Sequence, residues 1–88
     1  MLVVFSGNAK TYYVSNSGND LNSGTSENSA WRSLRKVNSF SPKPGDQILF
    51  KRGDQWIGTI AINVSGTPGS PITYGAYGTG AMPKIYGS

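Results

Sequence analysis

Asp20, Glu27, Asp46 and Asp54 are the four carboxylates of this sequence, and histidine and cysteine are both absent. Imidazole acid–base chemistry, imidazole or thiolate metal ligation and disulfides are therefore excluded. In Asp20-Leu21-Asn22-Ser23-Gly24 oxygen donors alternate as a hard cation such as Ca2+ requires. That makes Asp20 and Asn22 the candidate metal ligands. No acid stands at the closing position of such a loop, and Asx-turns account for the same residues. Asp46 and Asp54 are the acids that fall near each other in the strand-forming region. Two carboxylates working as acid and base need a fixed separation, whereas each of these follows a glycine, where Asp is common for backbone reasons. Trp56, Tyr77 and Tyr86 are candidates for stacking on sugar rings; packing within sheet walls would use the same side chains. Arg52-Gly53-Asp54 is short enough to arise by chance, and Asn63-Val64-Ser65 matches a glycosylation acceptor. No cofactor motif is evident.

What holds such residues in place must be a turn-rich β framework. The chain has 88 residues, of which 36% are hydrophobic and 14% charged, with 12 glycines. That is one small domain at most, and its aromatic and β-branched clusters set it apart from disordered compositions. The net charge is +4. Arg32, Arg35, Lys36 and Lys43 lie close together and Lys51 adjoins Arg52, but no basic run and no nucleic-acid signature appears. Weak attraction to acidic polysaccharide is the partner this charge allows; nucleic acid is not expected.

Residues 1–9 read as the remnant of a secretion signal: Leu2 to Phe5 is apolar, and Gly7 and Ala9 are small. An ordinary β-strand is the alternative, since a basic start is missing and the apolar run is short. No stretch is long enough to span a membrane. Tyr12-Tyr13-Val14-Ser15 is a strand. Asn16 to Ser29 is a long loop of turn formers. Trp31, Leu34, Val37 and Phe40 recur every third residue, which predicts one helix of about ten residues, capped by Asn28 or Ser29 and ended by Pro42 and Pro44. The period then becomes two: Ile48 to Lys51, Ile60 to Val64, Ile72 to Tyr77 and Lys84 to Tyr86 are strands separated by Gly- and Pro-rich breaks. Periodicity leaves two arrangements open, a small antiparallel sandwich or successive sides of a coiling solenoid.

The order of short motifs is more telling. Tyr12-Tyr13-Val14-Ser15, Gly18-Asn19-Asp20 and Asn22-Ser23-Gly24-Thr25 are followed by Trp31-Arg32-Ser33-Leu34, Lys36-Val37-Asn38 and Pro44-Gly45-Asp46. Phe50-Lys51-Arg52-Gly53, Ser65-Gly66-Thr67 and Pro71-Ile72-Thr73-Tyr74-Gly75-Ala76-Tyr77-Gly78 complete the series. From Thr11 to Ser88 this resembles the opening of right-handed parallel β-helix proteins of the pectate-lyase-like superfamily. The resemblance implies an all-β fold with one capping helix: residues 10–88 would be the N-terminal cap and opening coil of a secreted β-helix, incomplete in itself. Its partners would be polysaccharide or cell-surface glycan and the remaining coils, from the same protein or another chain. Catalytic residues and calcium ligands of such proteins sit on central coils, so no catalytic residue is expected here, and Ca2+ belongs to the full-length protein. The protein would be part of a polysaccharide lyase or glycoside hydrolase, or a non-catalytic adhesin or glycan-binding module. A free-standing, carbohydrate-binding sandwich is the third reading.

Overall fold

The computed structural model describes residues 10–60, 66–67 and 70–86. The signal remnant, the Asn63 acceptor and the strand expected beyond Ile60 lie outside them. In order, the elements are β1 (Thr11–Val14), a 3-10 turn (Glu27–Ser29), α1 (Leu34–Ser39), β2 (Gln47–Lys51), β3 (Gln55–Ile57), β4 (Gly66–Thr67), β5 (Ser70–Pro71), β6 (Thr73–Tyr77) and β7 (Lys84–Tyr86). The fold is thus mostly β with one short helix. No helix among the described residues is long and apolar enough to cross a membrane.

The longer strands pair in parallel. β1, β2 and β6 form one sheet in that order, and β3 and β7 form a second. Among the described residues only the two-residue strands β4 and β5 pair antiparallel, so the antiparallel sandwich is overturned. From β2 the chain turns at residues 52–54 into β3, passes through β4 and β5, and returns as β6 beside β2. It then turns again into β7 beside β3. Gln47 consequently lies next to Thr73, and Gln55 next to Lys84.

Side chains alternate across the first sheet as a period of two demands. Val14, Ile48 and Phe50 are buried, while Gln47 and Lys51 are exposed. With Trp31, Leu34, Val37 and Trp56 the inward residues make one core, against which Tyr12, Phe40, Ile60, Tyr74 and Ile85 pack. Ile48 is fully buried, which stabilises the fold by about 1.5–3 kcal/mol relative to exposure.

The helix is shorter than its sequence period predicts. It begins at Leu34, with Ser33 as N-cap in place of Asn28 or Ser29; the Ser33 hydroxyl accepts from the Lys36 N–H at 3.2 Å. Asn28 and Ser29 sit in the 3-10 turn. Trp31 is extended and bridges Val14 in parallel. Its N–H donates to the Tyr13 carbonyl and its carbonyl accepts from the Ser15 N–H, each at 2.8 Å. Those backbone groups serve a strand edge and are lost to a helix. Phe40 is extended as well, at the C-cap. The three-residue spacing still brings both rings to the core, where their centroids lie 5.0 Å apart.

The outer edge of β1 is covered by the loop that follows it. Tyr13 donates to the Gly24 carbonyl at 2.7 Å, beside the Trp31 bonds just described. Gly24 has φ +78° and lies against the Trp31 indole, so a side chain there would meet both backbone strain and the ring. The Trp31 indole N–H donates to the Asn22 carbonyl at 2.9 Å. β3 is covered differently. The Asn16 side-chain amide donates to the Gln55 carbonyl at 3.0 Å and accepts from the Gln55 N–H at 3.1 Å. A single side chain makes there the two bonds that a neighbouring strand would make. At the opposite end of the stack, β6 and β7 have no further strand beside them among the described residues.

Candidate functional site

Asp20 is held by what it accepts. One carboxylate oxygen takes the N–H groups of Arg32 (2.8 Å) and Ser33 (2.9 Å), and the other takes the Ser33 hydroxyl at 2.6 Å. Partial burial pushes the carboxyl upward, but the Ser33 hydroxyl, these N–H groups and the Lys36 charge outweigh it and hold Asp20 below the usual carboxylate range. The Asn22 side chain donates to the Ala30 carbonyl at 3.0 Å. Asn19 makes the Asx-turn, accepting from the Leu21 N–H at 2.8 Å. Asp20 and Asn22 therefore fasten the loop to the segment that leads into α1. Among the described residues no group of three or more acidic, His or Cys side chains could hold a metal ion.

Asp46 and Asp54 flank opposite ends of β2. Five strand residues at ~3.3 Å each separate them by about 17 Å, beyond the roughly 5–10 Å of paired acid–base carboxylates. The Asp54 carboxylate instead accepts from the Asn16 N–H at 2.8 Å, holding the residue that covers β3.

The three candidate sugar-stacking aromatics part company. Trp56 is buried, meets Phe50 edge-on at 5.1 Å and donates its indole N–H to the Arg32 carbonyl at 2.8 Å; it belongs to the core. Tyr77 is half-buried on the outer face of the first sheet, with Tyr13 edge-on at 5.1 Å. Burial raises its phenol pKa, the Ser15 hydroxyl opposes the rise, and the charges of Glu27 and Asp54 add to it. Tyr86 is 45% exposed and lies in register with Ile57, itself 80% exposed. The structure does not bring the three together.

A different group does converge. Lys10, Tyr12, Phe40, Ser41, Lys43 and Asp46 line a cavity of about 440 Å³ at the entry ends of β1 and β2. Asp46 is only 3% exposed, and its two carboxylate oxygens accept from the backbone N–H groups of Lys10 and Lys43, each at 2.9 Å. The Tyr12 ring stacks on Trp31 at 5.1 Å and tilts against Phe40 at 4.6 Å. Burial, then the Asp46 charge, raises the Tyr12 phenol pKa. Sequence reasoning missed this group. Its one legible trace is the Pro44-Gly45-Asp46 turn, where Gly45 has φ +89°.

No family model matches the chain. It is 44% identical over 75 residues to a lacto-N-biosidase of Bifidobacterium longum subsp. longum, an alignment that covers 77% of this chain and 5% of that protein. Among solved structures it is similar to the GH136 lacto-N-biosidase from Eubacterium ramulus, in native and selenomethionine forms. The TM-score is 0.78 at 43% identity, covering 84% of this chain and 12% of that one. The chain thus spans a small fraction of the proteins it matches. These likenesses make it homologous to a segment of a GH136 lacto-N-biosidase and relate it to carbohydrate-acting proteins.

Proposed function

We propose that this chain is the N-terminal cap and first coil of a right-handed parallel β-helix in a secreted, pectate-lyase-like protein that acts on glycans, and that it holds none of the catalytic residues. The observation that carries this reading is the asymmetry of the parallel stack. β1 and β3 are covered on one side by loop and side chain, while β6 and β7 have no strand beyond them among the described residues. Parallel strands returning beside one another after each circuit are what a solenoid coil requires, and a solenoid needs an atypical terminal unit. Tyr77 and Tyr86, facing outward, are the proposed glycan contacts. The Asp20 and Asn22 side chains tie the loop to residues 30–33, and the proposal assigns no metal to them.

A chimera tests the proposal. Residues 10–86 would replace the aligned segment of the Eubacterium ramulus enzyme, beside a second variant that lacks the segment. The expected outcome is a folded chimera that retains lacto-N-biosidase activity, with the deleted form insoluble. A deletion variant that stays folded and fully active would overturn the capping role.

A further inference from the structure

We propose that the cavity at the entry ends of β1 and β2 binds a single neutral pyranose residue. This is independent of the capping role, because the cavity is built entirely from residues between Lys10 and Asp46. Its floor is a buried carboxylate that is already anchored. Each Asp46 oxygen accepts one backbone N–H, and an ionised carboxylate has about four acceptor sites, so this cavity-lining group keeps acceptor capacity beyond those two bonds. Lys10, Lys43 and Ser41 are its other polar lining residues, and Tyr12 and Phe40 are its aromatic ones.

That chemistry selects its ligand. The carboxylate floor repels an anion, and two lysines repel a cation. A molecule with hydroxyl donors and acceptors on adjacent carbons satisfies both at once: one hydroxyl donates to Asp46 while its neighbour accepts from Lys43 or Lys10. A pyranose also offers a C–H face to the aromatic wall. A cavity of about 440 Å³ lies within the size range of small-molecule sites and is large enough for one such ring.

Amide chemical shifts of the full 88-residue chain, followed as methyl glucoside, methyl galactoside or glucuronate is added, read the site directly. Dispersion of the amide spectrum reports that each protein is folded. Saturable shifts at Lys10, Ser41 and Lys43 with a neutral glycoside are expected. Lys43→Ala and Ser41→Ala, both on exposed loop positions, should each raise its Kd about tenfold by removing one hydrogen bond. Asp46→Asn is a poorer probe because the backbone N–H groups of Lys10 and Lys43 depend on that carboxylate. The proposal fails if no glycoside shifts these amides, or if glucuronate binds much more tightly than the neutral sugars. It fails equally if binding appears only after residues 1–9 are removed, since the occupant would then be the chain's own amino-terminal segment.

Discussion

β1 and β6 flank the same strand, β2, in the same parallel sense, yet their outer edges are treated in opposite ways. The outer edge of β1 gives its N–H groups at Tyr13 and Ser15 to Gly24 and Trp31. In β6, the N–H of Thr73 and the carbonyl of Tyr77 are bonded towards β2, and the alternation of a parallel ladder directs those of Tyr74 and Ala76 away from it. The contrast separates two tasks performed on the covered side. Leu34 and Val37 of α1 bury apolar side chains in the core, while the loop and Asn16 satisfy strand backbone. A helix alone would leave the edge groups open to pairing with other chains.

Removing Trp31 breaks the covered side most completely. Trp31→Ala deletes a buried ring, its stack on Tyr12 and the indole bond to Asn22. A loss of about 3–5 kcal/mol is expected, a large share of the stability of a small domain, and thermal melting followed by circular dichroism would register it. An unchanged melting temperature would mean that the loop is no part of the folded unit.

Asp20→Asn should cost less, about 1–2 kcal/mol, the scale of losing a good cap. It also carries a pH signature. The folded-state pKa of Asp20 is lowered, so its contribution is fully present above the unfolded carboxyl value near 3.9 and is lost as pH falls through the lower folded value. Urea titrations should therefore show the wild-type chain losing its advantage over the variant below about pH 4. A constant difference from pH 7 to 3 would remove Asp20 from its assigned role.

The finest test leaves stability untouched. In hydrogen exchange of the chain, the amides of Tyr13 and Ser15 should be protected and those of Tyr74 and Ala76 should exchange quickly. Equal protection of all four would erase the distinction between the two edges.

Much of this was legible in the residues. The strands at β1, β2, β6 and β7 follow from alternation and from Gly and Pro breaks. The inward face of Trp31, Leu34, Val37 and Phe40 follows from spacing, although only the middle of that stretch is helical. A period of three cannot distinguish a helix from an extended residue, a turn of helix and another extended residue that happen to face the same core. β3 escaped because Gln55-Trp56-Ile57 is enclosed between Gly53-Asp54 and Gly58, where the glycines read as one continuous break. The cap that Asp20 provides for Arg32 and Ser33 spans twelve and thirteen residues, beyond any local motif. The cavity escaped for the same reason: Lys10, Phe40 and Asp46 become neighbours only after β1 and β2 have paired. Aromatic identity misled at Trp56, where burial took a side chain that composition alone would lend to a ligand.

Asn16 has a consequence for assembly. Because its amide makes both backbone bonds that a strand beside Gln55 would make, that edge of β3 offers no free rung to an incoming chain. A chain carrying alanine in place of Asn16 would bare the Gln55 N–H and carbonyl to stray pairing, which the loop still denies at β1.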